Sequence, residues 1–163
     1  MRFSALAVAV SAVALMACGG GDKANTADTG ASAAAPAAGA PAAGEALAAA
    51  PVTGTMHEVK MLGDEKGYRY EPADLTVKQG DGIRFVMVSG APHNVAFEPT
   101  IPEAGKAQLN ANIPNKMGDL SSQMVMNPNE EIVISFAGVA PGTYPYHCTP
   151  HLAMNMKGTI TVQ

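Results

Sequence analysis

The chain has 163 residues, with 10 Lys+Arg against 14 Asp+Glu. This mildly acidic balance provides no basic footprint for nucleic acid and no general attraction to an acidic membrane surface. The length suits one domain, but alanine inflates the apolar fraction, Trp is absent, and the composition shifts along the chain.

Met1-Arg2 gives a positively charged start, and Ala5 to Ala17 form an apolar run broken only by Ser11. The run is shorter than the roughly 20 apolar residues that span a bilayer. It fits the h-region of a secretory signal peptide over residues 1–17. Leu15-Met16-Ala17-Cys18 resembles the lipobox of bacterial lipoproteins, in which cleavage precedes the Cys and Cys18 would be lipidated; an ordinary secretory signal is the plainer alternative. Residues 19 to 54 follow, of which 15 are Ala, 7 Gly and 3 Pro out of 36. Without apolar periodicity, residues 18–54 read as a lipidated Cys and a flexible linker. A coil of that length spans roughly 30–36 Å.

The predicted domain covers residues 55–163, enough chain for one core. In order, His57 to Leu62 alternates loosely, and Leu75 and Val77 alternate with Thr76 and Lys78. Ile83 to Val88 is nearly continuous in apolar character, Glu131 to Phe136 puts Ile132 and Ile134 on one face, and Gly158 to Val162 does the same with Ile160 and Val162. Gly63-Asp64, Gly80-Asp81-Gly82, Ser89-Gly90, Asn127-Pro128-Asn129 and Pro141-Gly142 punctuate these runs as turns. One short helix is expected within Leu109 to Met124. Short period-two strands with Gly/Pro turns predict an all-β sandwich or barrel.

Cys148 is the one cysteine of this domain, and with Cys18 lipidated it has no disulfide partner. An unpaired thiol outside the cytoplasm is expected to be buried, lipidated or metal-bound. Tyr144-Pro-Tyr-His-Cys148-Thr-Pro-His151-Leu-Ala-Met154-Asn-Met156 sets a thiolate, an imidazole three residues on and thioethers six and eight residues on within one loop. Thiolate and thioether are soft ligands that suit copper, and two imidazoles, one thiolate and a long axial thioether form the blue-copper set. His93, in Gly90-Ala91-Pro92-His93-Asn94-Val95 after an apolar strand, is the natural second imidazole. Pro150 restricts the turn between Cys148 and His151.

These two segments, together with Pro72-Ala-Asp-Leu-Thr-Val77 and Gly80-Asp81, resemble plastocyanin and pseudoazurin of the cupredoxin family over essentially all of residues 55–163. The resemblance implies an eight-stranded Greek-key sandwich that holds one copper ion, Cu(I) or Cu(II), at one end. It implies that Met156, rather than Met154, is the axial ligand, because the eight-residue spacing from Cys148 matches the family. Asn94 would then hydrogen-bond toward the Cys loop, with Thr149 and Pro150 beside it, although turn capping explains Asn94 and Thr149 equally well. The resemblance also implies that His151 reaches the surface within an apolar patch, to which Ala91, Pro92, Leu152 and Met154 would contribute. Tyr144 and Tyr146 share the inward strand face of Cys148 and are expected in the core, while His147 points outward as a solvated residue or a partner contact. His57 reads as a surface residue.

Two departures from plant plastocyanins stand out. The stretch after the first ligand strand, Phe97-Glu-Pro-Thr-Ile101, carries one acid where they have an acidic run, and His147 replaces the aromatic residue before the Cys. Residues 101–128 fit the family poorly and suggest a different docking surface. The expected function is one-electron transfer by a monomer between redox proteins such as cytochromes c or a membrane electron-transfer complex, exported to the periplasm or cell surface. A copper storage or delivery protein is the main alternative, since ten methionines suit Cu(I). An enzyme is not expected: no carboxylate lies in the metal loop to serve as a general base, and there is no second Cys for a binuclear site.

Overall fold

The computed structural model describes residues 47–163. The expected signal peptide over residues 1–17, the lipidated Cys18 and the linker as far as residue 46 lie outside the described residues. Among the described residues there are eight strands: β1 Met56–Asp64, β2 Gly67–Glu71, β3 Asp74–Val77, β4 Gly82–Met87, β5 Ala96–Phe97, β6 Glu131–Ser135, β7 Gly142–His147 and β8 Lys157–Val162. They form two four-stranded sheets, ordered β2-β1-β4-β6 and β3-β8-β7-β5. The β1–β4 and β3–β8 pairs are parallel and the others antiparallel. The all-β sandwich expected from the alternation is therefore present, with the predicted number of strands.

Period-two side-chain alternation builds the core. Ile83, Phe85 and Met87 of β4 point inward, as do Ile132 and Ile134 of β6, Tyr144 and Tyr146 of β7, and Ile160 and Val162 of β8. Both tyrosines anchor their hydroxyls on backbone carbonyls, Tyr144 on Ala140 at 2.5 Å and Tyr146 on Ala73 at 3.0 Å. This is the usual condition for burying a phenol. Gly158 permits the second: a Cβ there would lie 2.6 Å from the Tyr146 hydroxyl and against the Ala73 carbonyl.

The structure differs from the sequence expectations in four places. The helix is α1, Glu103–Asn112, earlier than Leu109 to Met124. Its apolar face is thin, and Pro102 and Gly105 disguise its start; Gly105 is needed because the Tyr144 hydroxyl occupies the space of a Cβ. Residues 48–54, read as the end of the linker, are fastened to the domain. Ala50 N–H donates to Asn112 Oδ1 at 2.8 Å, and Thr53 and Gly54 donate to the Gly80 carbonyl at 2.9 and 2.8 Å. His57, read as a plain surface residue, has its Nε2 3.0 Å from Asp81 Oδ2. Strands β2 and β5 carry no clean alternation and were not anticipated. Among the described residues no helix is long and apolar enough to cross a membrane.

Candidate metal centre

One end of the sandwich gathers the chain just beyond β4 and β7. The Ser89–Val95 stretch brings His93 inward, and Cys148 follows the last residue of β7. Residues Thr149–Met154 then form two 3₁₀ turns that meet at His151, whose φ of −112° and ψ of 18° break the helix. The loop is closed by its own backbone: Cys148 N–H donates to the Met156 carbonyl at 3.0 Å, and Met156 N–H returns to the His151 carbonyl at 3.2 Å. Asn155 takes the left-handed conformation, with φ of 62°, that turns the chain into β8. Asparagine tolerates that region better than most residues.

The ligand atoms of His93, Cys148 and His151 lie within 4.8 Å of one another, and all three residues are buried. Cys148 Sγ is 3.6 Å from His93 Nδ1 and 3.4 Å from His151 Nδ1. A first-row ion bonded to thiolate at about 2.3 Å and imidazole at about 2.0 Å, with angles of roughly 105–120°, separates S and N by about 3.4–3.7 Å. The observed spacing fits such an ion. The His93 tautomer is also set: its Nε2 is 2.8 Å from the Ser89 carbonyl, which can only accept, so Nε2 carries the proton and Nδ1 is left free toward the sulfur.

Burial governs the protonation of this group. It lowers the pKa of His93, partly opposed by the bond to Ser89, and lowers that of His151, with the nearby His93 adding to the effect. Both imidazoles are thus biased toward the neutral form that binds metals. Burial pushes the Cys148 thiol up, partly offset by the backbone N–H groups of Asn94 and His151. A bound cation reverses that preference and favours thiolate.

Met156 is fully buried next to this cluster in sequence, whereas Met154 is 55% exposed. Asn94 spans the two segments: its Oδ1 accepts from Thr149 N–H at 2.8 Å, and its Nδ2 donates to Thr149 Oγ1 at 3.1 Å and Ser121 Oγ at 3.2 Å. Thr149 and Pro150 themselves are exposed. Ala91, Leu152 and Met154 are exposed and Pro92 is half-buried.

Two expectations are sharpened. His151 keeps 5% of its surface exposed, and the Tyr68 ring stacks on it with centroids 3.7 Å apart and planes 16° apart. His147 is not simply solvated, since its Nδ1 pairs with Glu98 Oε1 at 2.8 Å. Sequence reasoning also missed the supports of the His93 segment. Val125 exchanges backbone hydrogen bonds with His93 at 3.0 and 2.8 Å, the Ser122 hydroxyl accepts from Val95 N–H at 3.0 Å, and the Tyr70 hydroxyl donates to the Asn94 carbonyl at 2.6 Å. Part of the 101–128 segment is therefore a brace for the first histidine. The one local signal for Tyr68 was its position after Gly67 at a turn, which does not specify what the ring meets.

The sequence profile described as copper binding proteins, plastocyanin/azurin family, matches residues 57–163. Plastocyanin of Nostoc punctiforme is 38% identical over 109 residues, which are 66% of this chain and 73% of that protein. Chloroplastic plastocyanin of Physcomitrium patens is 37% identical over 105 residues, 64% of this chain; the chain spans only 56% of that protein's length. Among solved structures, a mutant plastocyanin of fern, determined oxidized and reduced, matches with a TM-score of 0.52 and 31% identity, covering 65% of this chain and 99% of that one.

Proposed function

The chain belongs to the plastocyanin/azurin family of copper-binding proteins, and from that premise we propose that it is a one-electron carrier whose single type 1 copper is held by His93, Cys148, His151 and Met156. The observation that carries this reading is the buried convergence of one thiol and two imidazoles within 4.8 Å, a soft donor set that suits copper. When bound, copper supplies a one-electron couple between Cu(I) and Cu(II). The chain's part is to keep water out, to hold both imidazoles neutral, and to fix the ligand loop through its own backbone bonds. A framework that stays put in both redox states limits the reorganisation accompanying each transfer. Burial of Met156 against exposure of Met154 supports Met156 as the axial thioether. Asn94, with Thr149 and Pro150 at the start of the loop, ties the two ligand segments together.

Exposed Leu152 and Met154, with Ala91 and Pro92, offer a small apolar face suited to brief docking and quick release. The partners in this reading are redox proteins such as cytochromes c or a membrane electron-transfer complex, and His147 with Glu98 lies at a second flank of the Cys148 strand. Export through residues 1–17, lipidation at Cys18 and a linker before the domain would keep the carrier beside a membrane on the periplasmic or outer side, acting as a monomer. It is a carrier rather than an enzyme.

The oxidised full chain loaded with copper is expected to be intensely blue, with a narrow copper hyperfine splitting, and Cys148→Ser is expected to abolish the visible band entirely. A colourless protein that takes up only Cu(I) would instead indicate storage or delivery.

A further inference from the structure

Tyr68 contacts both imidazoles of the centre. It is stacked on His151, at 3.7 Å and 16°, and presents itself edge-on to His93, with centroids 6.2 Å apart and planes at 64°. The two histidine rings stand 61° apart, with centroids 5.0 Å from each other. The loop that carries His151 is otherwise open to solvent: Thr149, Pro150, Leu152, Ala153 and Met154 are all exposed. Backbone hydrogen bonds hold the loop at His151, but they do not set the plane of its ring.

The seat of Tyr68 is built by other residues. Tyr68 pairs with Gly63 across β1 and β2. A Cβ at Gly63 would lie 2.7 Å from the Tyr68 ring and 2.8 Å from the Gly90 Cα. Only a residue without a side chain at 63 lets the ring lie down across β1 while the Ser89-Gly90 turn, just before His93, packs against the same spot. Gly90, with φ of 76°, meets Gly63 from the other side. Strands β1 and β2, the turn leading to His93 and the His151 loop therefore meet at one aromatic ring.

We propose that Tyr68 is a positioning residue for the metal centre, a strut that fixes the planes of His93 and His151 relative to each other before any metal binds. This rests on the proposed ligand set and explains how that set is preorganised. An aromatic face stacked on an imidazole removes the ring's rotational freedom at little entropic cost of its own, because the tyrosine has few torsions and is seated by Gly63. A leucine in its place would keep an apolar contact but lose the flat face. A phenylalanine would keep it, since the contact is made by the ring.

The test starts with nuclear magnetic resonance of the metal-free full chain labelled in its histidines. The His151 ring protons are expected to be shifted upfield by the Tyr68 ring current in the native chain and in Tyr68→Phe. In Tyr68→Leu that shift is lost, and the His151 signals broaden by exchange while the amides of β6, β7 and β8 stay in place. Titration with Cu(I) against a competing chelator then reads affinity. Tyr68→Leu is expected to bind roughly tenfold more weakly, the usual range for residues that orient a ligand, and Tyr68→Phe to match the native chain. Unchanged His151 shifts in Tyr68→Leu would overturn the proposal, as would loss of affinity in Tyr68→Phe equal to that in Tyr68→Leu. If the ligand set itself were wrong, Cu(I) would leave the His93 and His151 resonances of the native chain unmoved, a separate result.

Discussion

The two ends of the sandwich are each held by a buried polar side chain, and the same device serves different ends. At the metal end, Asn94 makes three bonds that link the His93 segment to the Cys148 loop and to Ser121. At the opposite end, Asn112 donates to the Ser135 and Ala137 carbonyls at 2.8 and 3.0 Å and accepts from Ala50 N–H and Gln108 Nε2, each at 2.8 Å. Beside it Asp81 accepts from Thr55 N–H, Lys78 N–H and His57 Nε2 at 2.7, 2.9 and 3.0 Å. The far end fastens residues 48–55 to the fold and has no ligand within reach of its bonds. The comparison teaches that satisfying buried polar groups stabilises either end, but only at the metal end does it also join the two segments whose side chains could hold an ion.

Substitutions can separate these roles. The largest stability change is expected for Asn112→Ala, which removes a hydrogen bond from each of two buried carbonyls and should cost about 3 kcal/mol. Chemical denaturation of the metal-free chain measures it, and the copper spectrum should not move; a changed spectrum would mean that the far end is coupled to the ligands. Asn94→Ala is expected to cost about 2 kcal/mol in the same measurement. Unlike Asn112→Ala, it should also alter the electron paramagnetic resonance spectrum and lower copper affinity by roughly tenfold.

Acid should discriminate further. The hydrogen bonds from Lys78, His57 and Thr55 hold the Asp81 carboxyl down from 3.8 to about 2. A depressed carboxylate contributes stability that is present above its unfolded value, and that stability is lost as pH falls toward the folded value. Up to about 2 kcal/mol should therefore disappear between about pH 4 and about pH 2. Denaturation midpoints of the native chain and Asp81→Asn across that window give the answer: equal acid sensitivity in both would remove Asp81 from the account. The smallest effect is expected for Met154→Gln, within about 0.5 kcal/mol in stability and without change in colour. Met156→Gln should shift both colour and potential, and the reverse pattern would exchange the roles of the two methionines.

Legibility in the sequence followed locality. The strands with clean alternation, β1, β3, β4, β6 and β8, could be read because burial on one face writes a period of two into the chain. The Cys148–Met156 loop was legible for a similar reason: its ligand types and closing hydrogen bonds all fall within nine residues. Strands β2 and β5 were not legible. The first mixes Tyr with Arg and the second is two residues long, so pairing with neighbours, not pattern, makes them strands. Helix α1 was displaced because Pro102 and Gly105 read as breakers, although Gly105 is there to admit the Tyr144 hydroxyl.

For the metal centre, the sequence by itself determined which donors were available: one unpaired thiol, an imidazole three residues later and a thioether in the same loop, types whose chemistry points to copper wherever they converge. What only the tertiary structure decided is how that convergence is held. Val125 and Ser122 brace the His93 segment, Tyr70 anchors the Asn94 carbonyl, and Tyr68 covers the His151 ring that was expected at the surface. Each of these contacts joins residues more than twenty positions apart. Donor type is a property of a single residue, whereas the support of a ring depends on which distant segments the two sheets bring against it.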